Sequence, residues 1–295
     1  MGWFLFTCLA AFSQAWRNAL QSHLSKHASV NAVTLARFIF ATPLAGLYLY
    51  LLYYFNPAPT PQFSNTLLIY ILGASIMQII ATALMVVLFK QKNFATGAGL
   101  AKSEALVAAI LGMLFFGSAL TFVGWIGVLI GGIAVLLLSG FSFKQLNFKT
   151  AAIGILCGTC FALTSLWVRE AALTLALPFP HSAGWVLLSV LSCQTLLLSG
   201  YSWLTEPQIW KTLRAHLPLV LLISTTSCIG SIGWFSAMSL QHVAYVKTLG
   251  QIEVFFTLLI ATYWLKSPPK KRDTLGLSLI ALAAVLVMAD DIIAL

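Results

Sequence analysis

The sequence predicts an all-α membrane protein with about ten transmembrane helices, arranged as two inverted five-helix repeats. Three observations lead to this prediction: the composition, ten long apolar runs, and an internal repeat with a reversed charge pattern. Of the 295 residues, 60% are hydrophobic and 8% are charged, whereas a soluble domain has about 25% charged residues. Because these residues cannot cover a water-soluble surface, we expect an integral membrane protein.

Ten apolar runs are long enough to cross a bilayer, which requires about 20 residues per helix. The connectors between them are short, and none leaves room for a soluble domain. The predicted spans are residues 3–22, 31–53, 66–89, 94–117, 120–140, 149–172, 183–204, 217–239, 243–265 and 274–293. Short connectors make neighbouring helices antiparallel, so we expect a compact bundle.

An internal repeat divides the chain into two halves. The segment "LAKSE", which ends at Glu104, aligns with "LGQIE", which ends at Glu253, an offset of 149 residues. The same offset pairs Gly127 with Gly276. We therefore predict a first repeat over residues 1–143 and a second over residues 144–295. Because each repeat has an odd number of helices, the second must be inserted upside down.

The basic residues of the connectors support this inversion. Connectors 1–2 and 3–4 carry Arg17, Lys26, Lys90 and Lys92. In the second half the basic connectors are 7–8 and 9–10, while 6–7 and 8–9 contain only Arg169 and Lys247. All basic connectors then lie on one face, which the positive-inside rule makes cytoplasmic. We expect a multi-pass protein of a bacterial inner membrane with both termini extracytoplasmic.

Several segments resemble the EamA-type branch of the drug/metabolite transporter superfamily. They are Trp16 and Asn18 near the end of helix 1, "LARF" ending at Phe38, and "LAKSEALVAAILGMLFFGSAL" in helix 4. Ala105 and Val254 stand where the family has a proline after each glutamate. The resemblance implies a secondary transporter of a small organic solute, amino-acid-like or metabolite-like, with no cofactor and no enzymatic activity.

Two glutamates lie near the middle of equivalent helices. An ionisable side chain in hydrocarbon costs at least roughly 2.5–3.5 kcal/mol, so Glu104 and Glu253 should face a shared cavity at the bilayer midplane. We predict that one or both couple proton movement to transport. The alternative is that each glutamate is a fixed structural partner of Lys102, Arg37 or backbone groups.

The predicted substrate-binding residues are Lys102, Gln251, Trp16, Gln14, Arg37, Gln78, Trp167 and Trp234. Lys102 is two positions from Glu104, on nearly the opposite side of a helix, so the two are poor direct partners. It either contacts an anionic group of the substrate or forms an internal ion pair. Arg37 can bind a carboxylate bidentately, with Glu104 as a candidate. The tryptophans either line the cavity, where they would bind cationic solutes through cation–π contacts, or they serve as packing residues or interfacial anchors.

Other function classes have little support in the sequence. The net charge of +9 is attributed to loop topology and not to nucleic-acid binding. Cys157 and Cys160 have C-x-x-C spacing but are interpreted as small packing residues, and no metal site or catalytic constellation is predicted. The remaining alternatives are a flippase for lipid-linked substrates and an intramembrane enzyme. We expect a monomer or a homodimer in the lipid bilayer.

Overall fold

The computed structural model describes residues 2–90, 101–118, 120–138, 148–263 and 271–293. Within these ranges the chain forms thirteen α-helices and no β-strand. The helices are α1 (Gly2–Leu24), α2 (Val30–Phe38), α3 (Ala41–Phe55), α4 (Asn65–Phe89), α5 (Glu104–Phe115), α6 (Phe122–Leu138), α7 (Phe148–Thr174), α8 (His181–Thr205), α9 (Gln208–Ala215), α10 (Leu217–Leu240), α11 (Val243–Gly250), α12 (Glu253–Tyr263) and α13 (Lys271–Ile293).

The prediction of an all-helical fold is confirmed in the described residues, whereas the count of ten transmembrane helices is not. Six helical segments in the described residues are long and apolar enough to cross a membrane. They are Val30–Phe55, Asn65–Phe89, Phe148–Thr174, His181–Thr205, Leu217–Leu240 and Val243–Ile260. Three shorter apolar helices, Glu104–Phe115, Phe122–Leu137 and Leu275–Ala289, accompany them. α1 is not among the six, because its sequence carries polar residues such as Gln14, Arg17 and Asn18.

Two of the predicted spans are interrupted in the structure. The span over 31–53 divides into α2 and α3 around Ile39, and the span over 243–265 divides into α11 and α12 at Gln251. Residues 94–100 of the span predicted over 94–117 lie outside the described residues. In the described part of this span, α5 begins at Glu104. α9 is an additional short helix between α8 and α10 that the sequence analysis did not predict.

Four helix pairs form the most extensive contacts of the bundle. α1 packs along α10, α4 along α7, α6 along α13, and α3 along α8. Small residues allow the close approaches: a Cβ at Gly233 of α10 would lie 2.6 Å from the carbonyl oxygen of Phe6 on α1. A Cβ at Gly158 of α7 would lie 2.7 Å from the carbonyl oxygen of Ala101. Glycine at these positions therefore sets the helix separation.

One end of the bundle gathers three of the basic connectors. Lys90 Nζ donates to the carbonyl of Ala28 at 2.7 Å, which joins the end of α4 to the α1–α2 connector. The ring of His27 stacks on His216 at the start of α10, with 5.8 Å between centroids. Asn31 Nδ2 donates to Glu206 at 2.5 Å. Connectors 1–2, 3–4 and 7–8 therefore meet on one face of the molecule.

α9 lies at this same end and is amphipathic. Ile209 and Leu213 are buried, whereas Lys211 and Arg214 are exposed. Trp203, just before α9, is 72% exposed. A short helix with an apolar face, a basic face and a neighbouring tryptophan is typical of the membrane interface.

Candidate functional site

Glu104 and Glu253 each occupy the first position of a helix that follows a break. α5 begins at Glu104 after a turn at Lys102 and Ser103, and α12 begins at Glu253 after a turn at residues 251–252. Both carboxylates are largely buried, with 9% and 3% exposure. A helix N-terminus favours a negative charge, and broken helices of this kind hold substrate and ion sites in transporters.

The two glutamates form crossed ion pairs with two lysines. Lys102 Nζ pairs with Glu253, so the turn before α5 contacts the start of α12. Lys247 Nζ of α11 pairs with Glu104 at 2.7 Å. Each broken helix thus supplies the lysine that neutralises the glutamate of the other. The prediction that Lys102 does not pair with Glu104 agrees with this arrangement.

Lys247 corrects the sequence analysis, which counted this residue as a connector charge. It lies within α11, and its side chain is 9% exposed. Its ammonium sits 4.1 Å from the ring centroid of Trp234, so a cation–π contact adds to the ion pair. The sequence feature that indicates a helical position for Lys247 is its place inside the run "VAYVKTLG", which has the length of a short helix.

Side chains of α1 complete the surroundings of Glu253. Gln14 Nε2 donates to Glu253 Oε2 at 2.5 Å, and Asn18 Nδ2 donates to Oε1 at 2.8 Å. Trp234 Nε1 donates to Gln14 Oε1 at 2.9 Å. Trp234 therefore contacts both ion pairs, because its indole N–H holds Gln14 and its ring lies beside Lys247.

A cavity lies between α1, α2, α4, α7, α10 and α11. About 30 Å³ is open to the centres of water molecules, which is room for a few waters. The lining residues are Gln14, Arg17, Asn18, Gln21, Arg37, Gln78, Thr82, Met85, Ala101, Lys102, Glu104, Phe161, Thr164, Ser165, Val168, Ser231, Trp234, Phe235, Met238 and Lys247. Glu253 and Gln251 line a smaller adjoining cavity of about 10 Å³, which also contacts Gln14, Lys102 and Glu104.

The second half of the chain is similar in sequence to a known protein family. The model of the EamA-like transporter family matches residues 148–289. Residues 148–289 are therefore similar to members of the EamA-like transporter family. The family lies within the drug/metabolite transporter superfamily, and its members are membrane transporters and not enzymes. The match begins near the start of the second predicted repeat, which residues 144–295 form.

A solved structure has a fold similar to that of nearly the whole chain. The structure, described only as "Crystal structure of protein", covers 97% of this chain and 96% of its own chain with a TM-score of 0.68. The sequence identity is 15%, so the similarity concerns the fold alone. None of the curated proteins matches the sequence.

Most of the polar residues predicted for the substrate site meet at the two cavities. Gln14, Gln78 and Lys102 line the larger cavity, and Gln251 lines the smaller one. Gln78 Oε1 accepts a hydrogen bond of 2.6 Å from Gln194 Nε2. The amide oxygen and nitrogen of Gln251 are buried and have no hydrogen-bond partner among the described residues.

Arg37 also lines the larger cavity, but it does not pair with Glu104 as expected. Its Nη1 donates to Thr82 Oγ1 at 2.6 Å and its Nε donates to Ser227 Oγ at 3.3 Å. The Glu104 carboxylate instead accepts from Lys247 and from Ser165 Oγ, the latter at 3.3 Å. Arg37 is therefore held by neutral hydroxyl groups.

Two predicted tryptophans are not among the residues that line either cavity. The cavity-facing residues of α1 are Gln14, Arg17, Asn18 and Gln21, at helical spacings of three and four, which leaves Trp16 on another side of the helix. Trp167 packs against α4, where a Cβ at Gly73 would lie 2.7 Å from its ring. Of the three predicted tryptophans, Trp234 alone lines a cavity.

Arg17 was not predicted to line the cavity, because its position near the end of the first apolar run assigned it to the first connector. Arg17 lies inside α1, is 3% exposed and lines the larger cavity. The missed signal was the stripe of Gln14, Arg17, Asn18 and Gln21 along one face of an otherwise apolar helix. Such a stripe at membrane depth indicates a face that is turned away from lipid.

Proposed function

We propose that the protein is a secondary transporter of a small organic solute that works by alternating access and couples transport to protons through Glu104 and Glu253. The observation that carries the proposal is the pair of crossed ion pairs, each of which joins the two broken helices across the cavity. Ionisable residues at membrane depth that face a cavity and pair with one another are typical of substrate and proton pathways.

The helix contacts support two inverted repeats with the predicted boundaries, 1–143 and 144–295. The first half then holds α1 to α6, and the second holds α7 to α13. The first span of each half packs on the third span of the other, as α1 does on α10 and α7 does on α4. The second spans pack on each other through α3 and α8, and the fifth spans through α6 and α13. A two-fold relation between the halves produces this reciprocal pattern.

Protonation of the glutamates provides a physical link between protons and conformation. When Glu104 takes a proton, its ion pair with Lys247 loses the negative partner, and the same holds for Glu253 and Lys102. The Lys102–Glu253 pair joins the turn before α5 to α12, and the Lys247–Glu104 pair joins α11 to α5. Loss of either ion pair therefore weakens the contacts between the two halves. A cavity that opens in turn to either side of the membrane then loads and releases the proton on different sides.

Reconstitution tests the coupling. Proteoliposomes that contain a pH-sensitive dye are challenged with single amino acids, amines, organic acids and nucleotides. The wild-type protein should show a solute-driven proton flux, and Glu104→Gln and Glu253→Gln should lose most of that flux while they still exchange solute. Glu170→Gln, which changes a half-buried glutamate outside the cavity lining, should keep it. Wild-type proton flux in both cavity variants would show that these glutamates carry no protons.

We propose a bacterial inner membrane as the location, with the basic face cytoplasmic and both termini extracytoplasmic. The clustering of Lys90, Lys211 and Arg214 at one end of the bundle supports this orientation. Arg17 and Lys247 no longer count toward the rule, because both are buried within helices. Because Lys247 lies within α11 and not in connector 8–9, the opposite face is less basic than the sequence predicts.

A further inference from the structure

The charged side chains that line the two cavities do not balance. The carboxylates are Glu104 and Glu253, and each is paired with one lysine. Arg17 and Arg37 line the same larger cavity. Neither has a carboxylate within ion-pair distance among the described residues. Two guanidinium groups therefore lie in the bundle interior without a carboxylate in direct contact, which low-dielectric surroundings disfavour.

Arg17 has unused hydrogen-bonding capacity. Its Nη2 donates to Asn18 Oδ1 at 3.0 Å, whereas its buried Nε and Nη1 have no hydrogen-bond partner in the described part of the chain. The side chain is 3% exposed, so bulk water does not satisfy these donors. A buried charged group normally has its donors satisfied, so these two donors are available to a group that enters the cavity.

Arg37 strengthens the local positive field. Its two described hydrogen bonds go to the neutral hydroxyls of Thr82 and Ser227, and its guanidinium lies over the rings of Phe38 and Phe161 at 5.2 and 6.0 Å. Arg17 and Arg37 line the same cavity, so the two guanidinium groups face one polar region. An anion between or beside them would neutralise both groups and accept the free Arg17 donors.

We propose, on the basis of the proposed transport function, that the solute carries an anionic oxygen group, a carboxylate or a phosphate, which binds to Arg17 with Arg37 as the second cation. Guanidinium groups match the geometry of both oxyanions. Lys102 and Lys247 remain with their glutamates in this arrangement. The apolar side chains of Phe161, Phe235 and other lining residues are available to the remainder of a small solute.

Thermal unfolding of the purified full-length protein in detergent tests the proposal. The probes are lactate against lactamide, succinate against succinamide, inorganic phosphate, and choline, all at matched ionic strength. At least one acid or phosphate should raise the Tm with a saturable concentration dependence. The amides, which keep the size but lose the charge, and choline should leave the Tm unchanged.

Variants of Arg17 separate a binding role from a structural one. Arg17→Gln should weaken the binding of the stabilising anion by at least about tenfold, because charge-assisted hydrogen bonds are lost. The same variant without ligand should unfold at the wild-type Tm or above it, because a buried unpaired charge has been removed. Arg214→Gln, an exposed arginine on α9, should keep wild-type anion binding. A lowered Tm of the unliganded Arg17→Gln protein with unchanged anion affinity would show a structural role.

The proposal is overturned if no acid or phosphate raises the Tm, if choline or an amide does so equally, or if Arg17→Gln binds the anion normally. Counterflow in proteoliposomes separates this failure from failure of the transport function. Exchange of cationic or neutral solutes alone would retain the transporter and remove the anionic substrate class. Arg17-dependent anion binding without exchange of any solute would retain the anion site and remove the transport function.

Discussion

Lys247 illustrates how a single residue depends on its surroundings. Its ammonium contacts the Glu104 carboxylate at 2.7 Å and the Trp234 ring at 4.1 Å, and the side chain is 9% exposed. Removal of either partner alone should destabilise this interior, because a buried charge without its partner is unfavourable. The stability of the region therefore depends on the pair and not on either residue.

Lys247→Met should destabilise the protein by about 3–5 kcal/mol, because it leaves Glu104 buried without a cation. The double variant with Glu104→Gln should recover most of this loss, since both charges are then absent. Unfolding in a mixed-micelle denaturant series measures the free energy of unfolding for the four proteins of the cycle. Lys211→Met, on the exposed face of α9, serves as a control and should change stability little. Additive effects of the two cavity substitutions would contradict the direct interaction.

Polar residues that lie well inside apolar runs can be placed in the bundle interior from the sequence. Glu104, Lys102 and Gln14 were placed there because a polar side chain far from a helix end must face the bundle interior, and all three line the larger cavity. Arg17 and Lys247 were missed because each is near the end of an apolar run, where a basic residue is equally consistent with a connector. The uncertain position of the helix ends, and not the chemical type of the side chains, therefore limited the prediction of which residues line the cavity.

At the scale of the element, the breaks before α5 and α12 determine where the glutamates lie. Neither break contains a proline in the described residues, since Ala105 and Val254 follow the two glutamates. Gly250, a poor helix former, precedes the second turn, and no comparable residue stands in the turn at Lys102 and Ser103. Their stability depends on tertiary contacts such as the ion pairs with Lys102 and Lys247, which a single sequence does not reveal. The long apolar helices α4, α7, α8 and α10 were predictable, because length and composition determine them.

Gly233 tests the packing of α1 against α10. Gly233→Ala should destabilise the protein by at least about 1–3 kcal/mol, because the added Cβ would lie 2.6 Å from a backbone oxygen and 2.9 Å from the Cβ of Ala10. Gly200→Ala on α8 meets nothing within 4 Å and should stabilise its helix by about 0.5–1 kcal/mol. Thermal unfolding in one detergent compares both with the wild type. Equal Tm values for the two variants would refute the tight contact.

At the scale of the whole molecule, the two ends of the bundle differ in chemistry. One end holds Lys90 and the basic face of α9. At the other end Trp185 Nε1 donates to the Tyr53 hydroxyl at 2.9 Å, and the rings of Phe6 and Phe179 pack edge to face. Aromatic side chains are enriched at membrane interfaces. Because such aromatic residues occur at both interfaces, the basic side chains are what distinguishes the two ends.

Cysteine labelling measures the orientation of the two ends. In a variant in which all five native cysteines are replaced, Thr60→Cys and Lys211→Cys each introduce one exposed thiol. A membrane-impermeant maleimide added to intact cells should label Thr60→Cys, and it should label Lys211→Cys only after the membrane is permeabilised. The reverse pattern would place the basic end outside and invert the proposed orientation.

The crossed ion pairs also have a consequence for biosynthesis. Lys102 emerges from the ribosome 151 residues before Glu253, its partner. Glu104 similarly precedes Lys247, so the charges of the first half enter the bilayer before either counter-ion has been made. The nascent first half must therefore keep these charges hydrated or in contact with the insertion machinery. Its helices reach their final positions only when the last quarter of the chain arrives, so assembly is completed late and across the full length of the protein.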